Sequence, residues 1–198
     1  MSQKKGQKII KEASVIFEES IDWVKENYEK FYFHKERDIV WTIHKKITEI
    51  IKENNLPYKV YDEYPIMPGN RSSIRADLAI LKKDFIPRQG NTIEVAAEFK
   101  YEPDHEREDM LTFFYDAQGN KKTKFPLVFW KEGVGKDIDN AREYFSLKLA
   151  KTSYSIFIDE GGYFRHNAPF VGSRWVDFPL SSNELKMISI LWFKLPNI

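Results

Sequence analysis

The sequence predicts a single α/β domain. Its first quarter has the apolar period of helices and no proline before Pro57, whereas the segment after Pro57 has the period of two that strands show. A further helix-like segment and two more strand-like segments follow towards the C-terminus. Because no repeat and no long linker divides the 198 residues, we expect one domain over residues 1–198.

Two apolar stripes predict helices between residues 7 and 54. The first stripe comprises Ile21, Val24, Tyr28 and Phe31, and the second comprises Ile39, Ile43, Ile47 and Ile50. Ser20 is placed to cap the first helix. We expect a break near Phe33 to separate the two helices, with one long bent helix as the alternative. The pair Asn54-Asn55 and Pro57 end this region.

The remaining elements are mostly strands. Residues 58–66, 73–81 and 92–101 are strand candidates separated by turn residues, and we expect the second and third to pair antiparallel. Asp137 is the expected cap of a helix over residues 137–150. The apolar face of that helix is formed by Ile138, Ala141, Phe145 and Leu149. Residues 154–158 and 188–195 are the last two strand candidates.

Composition restricts the classes of protein that this chain can represent. With 31 Lys+Arg and 30 Asp+Glu the net charge is +1, so phosphate binding requires a local patch of positive charge. The absence of cysteine excludes disulfides, thiolate nucleophiles and Cys-ligated zinc. Residues 1–11 lack a signal-peptide pattern, and no segment has the roughly 18 apolar residues of a membrane span. We therefore expect a cytoplasmic protein without a membrane partner.

The second and third strand candidates carry the residues that indicate chemistry. Alternation places Glu98 and Lys100 on one face of their strand, opposite an apolar face. In the preceding strand Asp77 lies opposite a face shared by Ile74, Ala76, Leu78 and Ile80. Two carboxylates on adjacent strands suit Mg²⁺ or Mn²⁺, and the Phe99 carbonyl is a further candidate ligand. The alternative is an ion pair between Glu98 and Lys100 on an exposed strand.

Two other positions join this hypothesis. Lys100 is placed to orient a water nucleophile or to neutralise charge that develops on a phosphate, which makes it a candidate catalytic residue. Glu36 lies seven and eleven residues before Ile43 and Ile47, so it falls on the buried face of the second helix and is expected to point towards the sheet. A solvated Glu36 paired with a neighbouring basic residue is the alternative.

The order of these residues resembles the PD-(D/E)xK nuclease superfamily. The resemblance rests on Glu36 in a helix, Arg75-Ala76-Asp77 in one strand and Glu98-Phe99-Lys100 in the next; Ala76 replaces the proline of the motif. It implies a restriction-endonuclease-like αβββαβ core over about residues 33–160, with a mixed sheet flanked by helices and with extensions over 7–32 and 161–198. It further implies Asp77 and Glu98 as metal ligands, Lys100 and Glu36 as catalytic residues, and Mg²⁺-dependent phosphodiester hydrolysis. It does not identify the target, for which we favour DNA.

Candidate nucleic-acid contacts follow the third strand. Aromatic residues at 113–115 precede a lysine-rich group formed by Lys121, Lys122 and Lys124, and Arg142 lies on the later helix. An ordinary solvated loop and helix surface are the alternative. At the level of function, the alternative to a nuclease is an inactive module of the same fold that binds nucleic acid or a protein. The oligomeric state stays open, a homodimer included.

Overall fold

The protein is an α/β structure with a mixed six-stranded sheet. A computed structural model describes residues 11–67, 73–86, 92–110, 115–120, 128–180 and 186–196. In chain order the main elements are α1 (Ala13–Glu26), α2 (Glu36–Glu53), β1 (Tyr58–Met67), β2 (Ile74–Lys82), β3 (Ile93–Glu102), α3 (Lys136–Ser146), β4 (Ala150–Asp159), β5 (Ser173–Pro179) and β6 (Met187–Leu195). No helix within the described ranges is long and apolar enough to cross a membrane.

The sheet consists of two antiparallel groups joined by one parallel pairing. Its strand order is β1-β2-β3-β4-β6-β5, so β1 and β5 are the edge strands. β1 pairs antiparallel with β2, and β2 pairs antiparallel with β3, as expected. In the second group β4 pairs antiparallel with β6, and β6 pairs antiparallel with β5. β3 and β4 pair in parallel, and the connection between them contains α3. β6 and β5 therefore extend the sheet beyond residue 160.

Both faces of the sheet are covered by helices. On one face α1 and α2 enclose the largest hydrophobic cluster, in which the ring of Phe17 lies 4.4 Å from that of Tyr154 and 6.2 Å from that of Phe99, between centroids. On the other face Tyr144 of α3 packs with Ala79 and Ala96. Helices on both faces explain why the residues of β3 and β4 are buried almost throughout.

The break between α1 and α2 is confirmed, but the cap prediction for Ser20 is wrong. Ser20 is buried inside α1, where its hydroxyl donates a 2.8 Å hydrogen bond to the carbonyl of Ile16. This bond within the helix satisfies the hydroxyl that a capping role would have used. The start of α2 is fixed by Asp38, whose carboxylate accepts hydrogen bonds from the backbone N–H groups of His34 and Lys35. Glu36 is consequently the first residue of α2.

Two further local predictions are wrong. Asp137 does not cap α3: it is the second residue of the helix, because a π-helical turn over Trp130–Gly135 leads directly into it. Ile74 and Ala76 do not share a cluster with Leu78 and Ile80, since they pack on the α3 side of the sheet. The strict alternation of β2 therefore fails at its N-terminal end, next to Asp77. The aromatic ring of Trp130 stacks on Phe164 and anchors the π-helical turn.

Candidate metal and catalytic site

The site forms where β2 and β3 separate. Their pairing ends at Leu78 and Ala97, and one residue further the carboxylate of Asp77 accepts a 2.7 Å hydrogen bond from the backbone N–H of Phe99. The side chain of Asp77 thus replaces the missing backbone partner of Phe99. Because the N–H and C=O of one residue point to the same edge of an extended strand, the Phe99 carbonyl also lies on the β2 edge.

Glu98 lies beside Asp77 and is almost completely buried, with 4% of its surface exposed. The hydroxyl of Tyr144, from α3, donates a short hydrogen bond to Glu98 Oε1. Burial raises the pKa of Glu98 to about 9, and the neighbouring Asp77 charge adds to the increase. Burial likewise raises the pKa of Asp77 to about 7, although the Phe99 N–H opposes the increase. The two acids therefore disfavour each other's ionisation.

Lys100 lies between two further carboxylates. Its Nζ is 3.0 Å from Glu36 Oε2 and 3.4 Å from Asp137 Oδ2. Burial lowers the pKa of Lys100, but the charges of Asp137 and Glu36 outweigh that effect and leave the pKa above its ordinary value. Burial raises the pKa of Asp137 to about 6, against the opposing effect of Lys100. The ammonium group is consequently charged at neutral pH.

The donor set fits a hard divalent cation. Asp77, Glu98, Glu36 and Asp137 supply four carboxylates against the one ammonium of Lys100, which leaves a charge of −3 if all are ionised. Carboxylate and carbonyl oxygens are the ligands of Mg²⁺ and Mn²⁺, and Mg²⁺ is often held by only one or two carboxylates with water and phosphate. Among the described residues, no group of three or more His, Cys, Asp and Glu has a metal-holding arrangement. Asp77, Glu98 and the Phe99 carbonyl are the oxygen donors that would hold such a cation.

The site opens into a small cavity of about 40 Å³ between α2 and β1. Its lining comprises Glu36, Arg37, Val40, Trp41, Asp62, Glu63 and Asp77. Glu63 falls opposite Asp77 in the register of β1 and β2, and it has a φ of 48°, in the left-handed region. An irregularity of this kind turns the edge strand locally and keeps a path to Asp77 open beside α2.

Sequence reasoning missed two residues of the site. Asp137 pairs with Lys100 instead of capping α3. Tyr144 is the buried partner of Glu98. The apolar pattern of the sequence placed the neighbouring Phe145 on the apolar face of α3 instead, but Phe145 is only partly buried. The signal for both was present in the spacing, since residues 137 and 144 are two helical turns apart and share one face.

Of the four predicted nucleic-acid contacts, Arg142 lies among the described residues. Lys121, Lys122 and Lys124 lie outside the described residues. Arg142 is five residues beyond Asp137, so it projects from a different side of α3. Its guanidinium pairs with Asp139 at 2.7 Å and donates to the Val171 carbonyl at 2.6 Å. These contacts tie α3 to the segment before β5.

A second polar cluster supports the segment on which Glu36 begins. Arg107 pairs with the buried Glu160 at 3.0 Å and donates a hydrogen bond to the carbonyl of Phe33. The hydroxyl of Tyr101 lies 3.1 Å from the same carbonyl and also within hydrogen-bond distance of Glu160. The end of β3 and the end of β4 are thereby connected to the turn before α2.

No family model matches the sequence, and no curated protein and no solved structure gives a significant match. The functional argument accordingly rests on the geometry of the site.

Proposed function

We propose that the protein is a metal-dependent nuclease with a restriction-endonuclease-like core, and that DNA is its favoured substrate. One observation carries the proposal: the half-buried Asp77 and the buried Glu98 form an acidic pair where two strands separate, and Lys100 follows two residues later on β3. The order α2, β1, β2, β3, α3, β4 agrees with the αβββαβ arrangement that the sequence motif implies.

Asp77, Glu98 and the Phe99 carbonyl would hold the cation. The Phe99 N–H fixes the orientation of the Asp77 carboxylate, and the Tyr144 hydroxyl fixes that of Glu98. When bound, Mg²⁺ would supply Lewis-acid polarisation of a phosphoryl oxygen. The cluster of negative charge supports such a role, because a divalent cation relieves repulsion that the protein alone does not.

Lys100 supplies a fixed positive charge. Its pKa is raised by the flanking carboxylates, so the side chain acts as a hydrogen-bond donor and not as a base. Glu36 and Asp137 hold the ammonium in position. In the reaction a water oxygen bonds to phosphorus, the bond to the leaving oxygen breaks, and the leaving oxygen gains a proton. Negative charge develops on the phosphoryl oxygens during this step, and Lys100 stabilises it.

A cleavage assay with a binding control tests the proposal. Wild-type protein should cleave DNA with Mg²⁺ or Mn²⁺ and lose that activity in EDTA. Lys100→Ala should lower the cleavage rate on the order of 100-fold, while DNA binding measured with Ca²⁺ changes little, because the lysine acts mainly in the transition state. Lys151→Ala, which removes an exposed lysine that pairs with Glu94 on β3, is the matched control and should keep the wild-type rate.

One result would overturn the proposal, and a second would reject only one residue's role in it. The first is a wild-type protein that cleaves neither single-stranded DNA, duplex DNA nor RNA with any of these metals. The second, which would reject the role of Lys100 alone, is full activity in Lys100→Ala.

A further inference from the structure

A groove lies between the C-terminal half of α2 and the start of β1. It has a volume of about 590 Å³. Its lining comprises His44, Thr48, Ile51, Lys52, Asn55, Tyr58, Lys59, Val60, Tyr61 and Lys83. We call it the α2–β1 groove. The strand that lines it, β1, is an edge strand of the sheet.

The charge in the α2–β1 groove is positive. Lys52, Lys59 and Lys83 are exposed, and the described residues that line the groove include no Asp or Glu. The acids in this half of α2 lie on a different side of the helix, where Glu49 pairs with Lys46 at 2.9 Å. The lining of the groove therefore presents three lysines and no Asp or Glu, an arrangement that attracts phosphates.

The groove continues the cavity of the candidate site. The same side of α2 lines both, with Arg37 and Trp41 at the cavity and His44, Thr48 and Lys52 at the groove. On β1 the lining likewise passes from Asp62 and Glu63 at the cavity to residues 58–61 at the groove. From Glu36 to Lys52 the helix rises about 24 Å, at 1.5 Å per residue. This length corresponds to roughly seven phosphates at duplex spacing, and to fewer in an extended single strand.

Two exposed aromatic side chains lie along this path. Trp41 is 55% exposed and Tyr61 is 39% exposed. The ammonium of Lys45 lies 3.3 Å from the centre of the Trp41 ring, so a cation accompanies the stacking surface. Exposed aromatic rings bind unpaired bases by stacking, whereas the bases of a duplex are already stacked on each other. The aromatic residues therefore favour a single strand.

We propose that the α2–β1 groove binds one strand of single-stranded DNA and guides it to the Asp77–Glu98 site. The lysines contact phosphates, and Trp41 and Tyr61 stack with bases. Guidance of the strand to the Asp77–Glu98 site rests on the proposed nuclease function, whereas binding of the strand in the groove does not.

Fluorescence anisotropy with a fluorescein-labelled oligothymidylate of about 12 nucleotides, in EDTA, tests the groove without cleavage. The triple variant Lys52→Glu, Lys59→Glu, Lys83→Glu should bind at least ten-fold more weakly. Its slope of log affinity against log salt should be smaller by about 2, at 0.7 per phosphate contact. Trp41→Ala should weaken binding roughly ten-fold, and Trp41→Phe should retain most of it.

The matched control changes three exposed lysines outside the groove to glutamate: Lys30, Lys131 and Lys148. It alters the net charge by the same amount, so it should leave affinity and salt slope near the wild-type values. Equal weakening in both triple variants would overturn the proposal, because the attraction would then be general. A duplex of the same length that binds as tightly as the single strand, with no effect of Trp41→Ala, would also overturn it.

The outcomes for the groove and for the nuclease are separable. Binding that depends on the groove lysines and Trp41, in a protein that cleaves nothing with Mg²⁺ or Mn²⁺, would support the groove and reject the nuclease. Metal-dependent cleavage with unchanged binding in the groove variants would reject the groove and leave the nuclease in place.

Discussion

Replacing Asp77 with asparagine should stabilise the metal-free protein at pH 8. The pKa of Asp77 is raised from 3.8 to about 7 in the folded state. Between pH 3.8 and about pH 7 the unfolded chain loses the Asp77 proton while the folded protein keeps it, so the free energy of unfolding falls as the pH rises through this range. Above about pH 7 both states are ionised and the loss is complete. Asparagine carries no charge, and its amide oxygen can still accept the hydrogen bond from Phe99.

The size of the effect follows from the shift in pKa. About three units at 1.36 kcal/mol per unit give a gain of up to about 4 kcal/mol at pH 8. For a chain of this length we expect the melting temperature to rise by several degrees, up to about 10 °C. At pH 4 the difference should shrink to less than about 1 kcal/mol, because Asp77 is then protonated in the folded protein and only partly ionised in the unfolded chain.

Thermal unfolding in EDTA at pH 4 and pH 8 measures the difference. Asp22→Asn is the control, because Asp22 is an exposed residue of α1 paired with Lys25, and its replacement should change stability by less than about 0.5 kcal/mol. Addition of Mg²⁺ at ten times its dissociation constant should stabilise the wild type by about 1.4 kcal/mol and Asp77→Asn by less. A lower melting temperature for Asp77→Asn at pH 8 would refute the reasoning and make Asp77 a structural residue.

Three further substitutions test the supports of the site. Tyr144→Phe removes the donor to Glu98 and should raise the Mg²⁺ concentration for half-maximal cleavage about ten-fold; an unchanged metal dependence would exclude this role. Arg107→Gln leaves Glu160 buried without its cation and should lower the free energy of unfolding in urea by about 3 kcal/mol, whereas a change below 1 kcal/mol would contradict the pairing. Phe17→Ala empties a fully buried position and should lower that free energy by about 3–5 kcal/mol without altering the metal dependence of any remaining activity.

The part of the site that lies on strands could be predicted from the sequence. Alternation within a strand is local, so the pattern of β3 alone indicated that Glu98 and Lys100 share a face, and two helices with a break between them followed from the apolar period. The same pattern gave a wrong prediction for Ile74 and Ala76 of β2. The contributions of α3 depend on packing. A π-helical turn before Lys136 sets the rotation of this helix, and that turn has no simple sequence signature. Asp137 therefore looked like a cap, and Tyr144 was overlooked.

β5 was not predicted because it is an edge strand. Ser173–Pro179 pairs on one side only, and its side chains are mostly half-buried or exposed. A strand of this kind lacks the strong apolar pattern that identifies a central strand such as β4. The cap prediction for Ser20 was wrong for a different reason. A serine hydroxyl can form a hydrogen bond inside a helix as well as at its start, and the sequence does not distinguish the two.

The parallel pairing of β3 with β4 has a consequence for the order of folding. The antiparallel pairs β1–β2 and β2–β3 close short loops and can form early, whereas β3 and β4 meet only after the long connection through α3 has closed. Asp77 and Glu98 belong to the early group, but Tyr144 arrives with α3. Water therefore solvates Asp77 and Glu98 until β4 pairs with β3 and α3 packs on the sheet. We expect their desolvation to slow this late step and to leave the initial nucleus unaffected, so that folding becomes slower as the pH rises from 5 to 8.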